Sequence, residues 1–204
     1  MLKEIFINLI ETYTKNEKLT NKLWQEIEDN YSNKKRHYHN LSHLENLYYQ
    51  LLEVKDKISN WDVLLFTLFY HDAIYNATKT NNEEQSAILA EKRMTQINAP
   101  TELIEKCKAQ ILATKNHNNS TDLDCNYFTD ADLSILGQDQ KIYETYFKNI
   151  RKEYSIYPSI IYNPGREKVL NHFLNMDRIF KTAYFYEKYE EQAKINLTFE
   201  LELL

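Results

Sequence analysis

Glycine and proline are nearly missing from this chain, at two and three residues in 204. Average usage would supply several times as many. A turn-rich β architecture needs that punctuation, so its scarcity excludes many-stranded sheets and favours helices. The two cysteines, Cys107 and Cys125, lack CxxC spacing and form no disulfide framework. They read as ordinary thiols of a reducing compartment. Basic residues are outnumbered, 25 Lys and Arg against 30 Asp and Glu, for a net charge of −5. That balance argues against a nucleic-acid backbone as the main partner. No stretch approaches the ~20 apolar residues of a membrane span. The opening Met1-Leu2-Lys3-Glu4-Ile5-Phe6 is an apolar period broken by Glu4 and Glu11, not a secretory signal. The expectation is one cytoplasmic domain over 1–204, without a membrane partner, burying roughly 70% of its unfolded surface.

What is abundant is aromatic: 16 Tyr, 9 Phe and 2 Trp can fill a core. Apolar residues recur at helical spacing almost throughout. Leu2, Ile5, Phe6, Leu9, Ile10 and Tyr13 make one stripe, and Leu23, Ile27 and Tyr31 another. After the basic run Lys34-Lys35-Arg36, a helix is expected from about Asn40 to Val54. The run Trp61 to Tyr75 is apolar nearly all round and reads as the central buried helix. Helices are also expected from Asn82, from Thr101, over Phe128 to Leu136 with Gly137 as C-cap, over 140–154 and 166–181, and from about Glu187 to Leu203. Asn163-Pro164-Gly165 reads as a turn. The fold class expected is all-α, a helical bundle, with no internal repeat or linker.

Inside the central run stand His71 and Asp72, adjacent polar groups that are costly to bury without compensation. A metal ion is a common remedy. His39 and His43 are four apart, one helical turn on one face. One could bind metal while the other faces a substrate, or both could bind. His71 and Asp72 diverge by about 100° on a helix yet can both reach one ion beside it. Asp130 or Asp132 would close the ring from a third helix. They point to different faces, so only one is expected to ligate; the other would support a ligand imidazole or cap a helix. Imidazoles and carboxylates without thiolate suit Mn, Fe, Co, Ni or Mg, as one ion or two. Such an ion activates water and polarises a phosphoryl oxygen, which implies hydrolysis of a phosphate ester or anhydride.

The order His43, His71-Asp72, Asp132 resembles the HD-domain superfamily of metal-dependent phosphohydrolases. His39-Asn40-x-x-His43 is similar to the HNxxH motif of cyclic-nucleotide phosphodiesterases, and Ala131-Asp132-Leu133-Ser134 to their ADLS motif. The resemblance implies His43, His71, Asp72 and Asp132 as metal ligands, favouring Asp132 over Asp130. It also implies His39 as the acid protonating the leaving oxygen, and Asp72 as the carboxylate able to bridge two ions. The phosphodiesterases' longer motif after the His-Asp pair is absent, since this chain reads Ala73-Ile74-Tyr75-Asn76. The chain more closely resembles a small bacterial group of predicted HD phosphohydrolases. The matching words are Arg36-x-Tyr38-His39-Asn40, His71-Asp72-Ala73, Asn82-Glu83-Glu84-Gln85-Ser86-Ala87, Asp130-Ala131-Asp132-Leu133 and Gly165-Arg166. The likeness implies an HD-type core over about 36–175, with the metal site between core helices.

Around that set, Glu84 is a candidate for orienting water or a ligand, or an ordinary partner of a helix start. Arg36 and Arg166 are candidates for gripping phosphate bidentately. Asn40, Lys115 and His117 are further candidates for substrate contact, His117 also for a second metal. Tyr38 and Tyr75 flank the motifs and are expected to line the pocket. The expected activity is a phosphohydrolase acting on a small phosphorylated molecule, in first place a nucleotide. A homodimer is compatible with this reading. Two rivals stand beside it: a non-catalytic nucleotide and metal sensor, and a di-iron oxygenase on the same scaffold.

Overall fold

The structure, a computed structural model, describes all 204 residues as ten α-helices and two 3-10 turns, with no strand. The all-α expectation holds. No helix is long and apolar enough to cross a membrane. The chain divides into two compact units, Met1–Thr129 and Asp130–Leu204.

The first unit holds α1 (Leu2–Tyr13), α2 (Glu17–Tyr31), α3 (Leu41–Leu52), α4 (Trp61–Tyr70), α5 (Asn82–Gln96), α6 (Thr101–Ala113) and most of α7 (Leu123–Leu133). Its centre is α4, which packs against α1, α3, α5 and α6. Every residue from Val63 to Tyr70 is buried. Burying each large apolar side chain there contributes about 1.5–3 kcal/mol, which outweighs the modest helix propensity of its aromatics. Phe6 of α1 meets Phe69 edge-on with centroids 4.9 Å apart. Thr67 donates to Gln110 Oε1 at 2.8 Å, tying α4 to α6 by a satisfied polar pair.

Helix α4 stops at Tyr70, five residues short of the expected end at Tyr75. His71 is its C-cap, and Asp72 lies in the turn beyond. The start of α4 is held from α7, where both oxygens of the buried Asp124 accept from the Ser59 and Asn60 amides at 2.8 Å. This polar first turn, Leu123 to Asn126, conceals from periodicity a helix that starts five residues before the expected Phe128.

The second unit holds α8 (Gln140–Glu153), α9 (Ser159–Leu174) and α10 (Ala183–Glu202), with a 3-10 turn at Ser134–Gly137. Helix α10 packs on the other two helices and on that turn. Gly137 does not act through a positive φ, as the C-cap reading implied. A Cβ placed there would lie 2.5 Å from Tyr189 Cβ, so close approach of α10 is what requires glycine. Asn163-Pro164-Gly165 is not a turn: Pro164 lies inside α9. It sits one turn in, so the carbonyl it leaves without a donor belongs to Ile160, which is 84% exposed and open to water.

Candidate metal centre

The first unit brings three imidazoles to one carboxylate oxygen. The Nε2 atoms of His71, His39 and His43 lie 3.3, 3.9 and 4.0 Å from Asp72 Oδ2. His43 Nε2 and His71 Nε2 are 3.2 Å apart. His71 Nδ1 stands 3.0 Å from the Leu68 carbonyl oxygen, which only accepts, so Nδ1 carries the proton. In the neutral ring, Nε2 then presents its lone pair to the cluster, as a ligand imidazole requires. The pair sits at the C-terminal end of α4, where the helix dipole favours a cation.

Local sequence explains the placement. Asn40 caps α3, accepting from the Ser42 and His43 amides at 2.9 and 3.4 Å. His43 therefore lies in the first turn of α3 and is buried, while His39 precedes the cap on a bent segment. The expected common helix face for His39 and His43 is not how they meet; the Asn40 cap turns the chain between them. His39 is the more exposed imidazole, its side chain 19% accessible against 4% for His43. Its ring stacks on Tyr75 with centroids 4.3 Å apart and meets Tyr38 edge-on at 4.9 Å. The motif from Asn82 to Ser86 steadies the segment after the His-Asp pair. Asn82 exchanges hydrogen bonds with the Asn76 backbone at 3.0 and 3.1 Å, and Ser86 Oγ bonds the Ile74 amide and carbonyl.

Helix α7 carries the two downstream aspartates. Phe128 meets the His71 ring edge-on, with centroids 5.5 Å apart. The helix is unbroken to Leu133, and Asp132, one turn after Phe128, shares its face. Asp130 has a different employment within the second unit. Fully buried, its oxygens accept from the Lys181 amide at 3.0 Å, the Thr182 amide at 2.7 Å and the Thr182 hydroxyl at 2.8 Å, with Lys181 Nζ at 3.2 Å. Thr182 is the N-cap of α10, so Asp130 braces a helix start, the capping role that its position left open.

The residues expected to contact substrate are otherwise engaged. Arg36 is buried and donates to the carbonyls of Asp72, Ala73 and His39 at 2.7, 3.0 and 3.3 Å. Arg166 is buried in a fork with Glu200, its Nε and Nη2 at 2.7 and 2.8 Å from the two oxygens. Lys115 donates to Glu84 Oε1 and to the Thr80 carbonyl. That ammonium holds the Glu84 carboxyl below its ordinary range, which works against proton exchange by Glu84 near neutral pH. His117 ends the turn after α6 in the left-handed region, φ 52°, its amide donating to Ala113.

Two contributors escaped the sequence reading. The Leu68 carbonyl, which orients His71, has no sequence signature beyond standing three residues earlier. Tyr31, whose hydroxyl accepts from the Asp72 amide at 3.2 Å, looked like one more member of an apolar stripe. Comparison with protein-family models, curated proteins and solved structures finds no match for this chain.

Proposed function

We propose that His43, His71, Asp72 and Asp132 hold a divalent metal ion and that the protein is a metal-dependent phosphohydrolase acting on a small phosphorylated molecule, in first place a nucleotide. The observation that carries the reading is the convergence of three imidazole Nε2 atoms on Asp72 Oδ2. His43, His71 and Asp132 form a group of side chains that could hold a metal ion, and each offers one ligand atom. The donors fit such an ion: buried nitrogen and carboxylate oxygen without thiolate suit Mn, Fe, Co, Ni or Mg. A bound ion would supply Lewis acidity and activate water.

The chain's own residues divide the remaining work by exposure. Buried His43 and His71 suit ligation. His39, at the open side and stacked on Tyr75, suits proton donation to the leaving oxygen. Asp130 has no part in this set, being occupied by the start of α10. The test is phosphate release from a panel of nucleotides and sugar phosphates with each metal, comparing wild type with Asp72→Ala. Metal-dependent turnover that disappears in the variant is expected; wild type that neither binds metal nor turns over any substrate would sink the proposal.

Arg36, Arg166 and Lys115, expected to grip phosphate, are all spent on internal partners, so a phosphate would be held by other groups in either reading. The second reading, a nucleotide and metal sensor, uses the same pocket without turnover. Tight nucleotide binding with no product over long incubation would select it.

A further inference from the structure

Arg36 stands in the run Lys34-Lys35-Arg36, which looks like an ordinary solvated basic patch. The two lysines are exposed; Arg36 is only 9% exposed. A buried guanidinium normally faces a carboxylate. This one faces three carbonyls, those of Asp72, Ala73 and His39, at 2.7, 3.0 and 3.3 Å. Its charge is met by the C-terminal end of α4 and by two rings, Tyr31 at 4.9 Å and Tyr75 at 5.5 Å from Cζ.

We propose that Arg36 is a positioning residue of the metal centre, a clip that fixes Asp72 and His39 relative to one another. The inference rests on the metal reading above. The chain must leave α4 abruptly to turn both the His71 ring and the Asp72 carboxylate toward the cluster. The carbonyls in that turn have left the helical ladder, and the planar fork of Arg36 receives two of them while tying them to the His39 carbonyl. Asp72 is thereby held at both ends of its backbone: its carbonyl by Arg36 and its amide by the Tyr31 hydroxyl at 3.2 Å. His39 is held at its carbonyl by Arg36 and at its ring by Tyr75, which also flanks the guanidinium. Lysine could keep the charge but cannot direct two nitrogens in one plane to separate carbonyls.

Co(II) is the probe, its affinity taken by chelator competition and its coordination by visible absorption, in wild type and Arg36→Lys. Circular dichroism checks the helix content. The variant is expected to keep its helices, lose about 10–100-fold in Co(II) affinity, as groups that orient ligands typically do, and show an altered Co(II) spectrum. Wild-type affinity with a wild-type spectrum in the folded variant would overturn the clip. Failure of wild type itself to bind Co(II) would instead overturn the metal reading beneath it. If Arg36→Lys does not fold, Arg36→Gln carries the test, because its neutral amide has two N–H donors on one nitrogen and cannot span the three carbonyls that the guanidinium holds. A several-fold loss of Co(II) affinity sustains the clip, and unchanged affinity refutes it.

Discussion

The two units differ in one polar cluster, although both also bury acids against donors, as Asp124 of the first unit does with the Ser59 and Asn60 amides. In Asp130–Leu204, acids meet donors. Asp130 takes the Lys181 and Thr182 amides, the buried Glu190 takes those of Ile179 and Phe180, and Glu200 takes the Arg166 fork and the Tyr143 hydroxyl. In Met1–Thr129, the Asp72 carboxylate and three imidazoles are turned toward one another, and two ring nitrogens stand 3.2 Å apart. Such a pair needs a shared proton or a cation between its lone pairs. A charge surrounded by fixed donors has its partners built in and serves the fold. Side chains gathered at one point, His43 and His71 among them, could hold a metal ion, and they are tied from outside by hydrogen bonds to Arg36, Tyr31, Asn40 and the Leu68 carbonyl.

The largest effect expected from breaking this contrast is functional. His71→Leu removes a proposed ligand and should lower Co(II) affinity beyond the roughly 10–100-fold typical of an outer residue. The same variant should cost the metal-free protein only about 1 kcal/mol, because leucine fills a site with 1% exposure and what is lost is chiefly the Nδ1 hydrogen bond to the Leu68 carbonyl. Calorimetric titration and thermal unfolding measure the two halves. A large loss of metal-free stability would mean that the cluster serves the fold after all. Glu200→Gln should do the reverse in the second unit. It leaves the Arg166 guanidinium, 8% exposed, without its countercharge, and costs about 3–5 kcal/mol in urea unfolding.

Periodicity and chemistry were legible to different depths. The stripes of α1 and α2, the apolar run of α4 and the His-Asp pair could be read directly, because burial and charge act on neighbours in sequence. The end of α4 could not, since the turn after Tyr70 is bonded to Arg36, 36 residues before Asp72 in sequence. For the same reason Arg36 and Arg166 read as phosphate grips: arginine chemistry is the same whether its fork meets a substrate or Glu200. Pro164 misled because a proline one turn into a helix looks like a breaker unless the exposure of the carbonyl behind it is known. Choosing between Asp130 and Asp132 required the Lys181–Thr182 amides, 51 and 52 residues away from Asp130.

Intermediate effects sharpen the structural side of the comparison. Asp130→Asn keeps the shape but replaces one acceptor oxygen by a donor facing backbone amides. It should cost about 1–3 kcal/mol, read as a shift of the urea midpoint at unchanged slope. Gly137→Ala forces a Cβ to within 2.5 Å of Tyr189 Cβ and 2.6 Å of the Tyr189 carbonyl oxygen, so α10 must shift. Overpacking of this kind costs about 1–3 kcal/mol. An alanine variant of undiminished stability would show that the turn and α10 are not packed as described.

The last effect is absent near neutral pH, grows only at alkaline pH, and again separates the units. Burial pushes the Cys107 thiol up from 9.0 to about 12, partly offset by its hydrogen bond with Thr67. In the second unit, burial pushes the Tyr162 hydroxyl up from 10.0 to about 12. Each group stays protonated in both the folded and unfolded chains below its unfolded value, so its contribution is fully present there. Above that value the unfolded chain releases the proton while the folded chain keeps it, and stability falls by up to about 1.4 kcal/mol per pH unit for each group until the folded value is reached. The onset should therefore come near pH 9 for Cys107 and near pH 10 for Tyr162. Cys107→Ala should flatten the loss that begins at the lower onset, and Tyr162→Phe the one that begins a unit later, both read from urea midpoints between pH 8 and 11. Identical pH slopes in wild type and Cys107→Ala would mean that the thiol ionises in the folded chain as readily as in the unfolded one, contrary to its complete burial beneath α4.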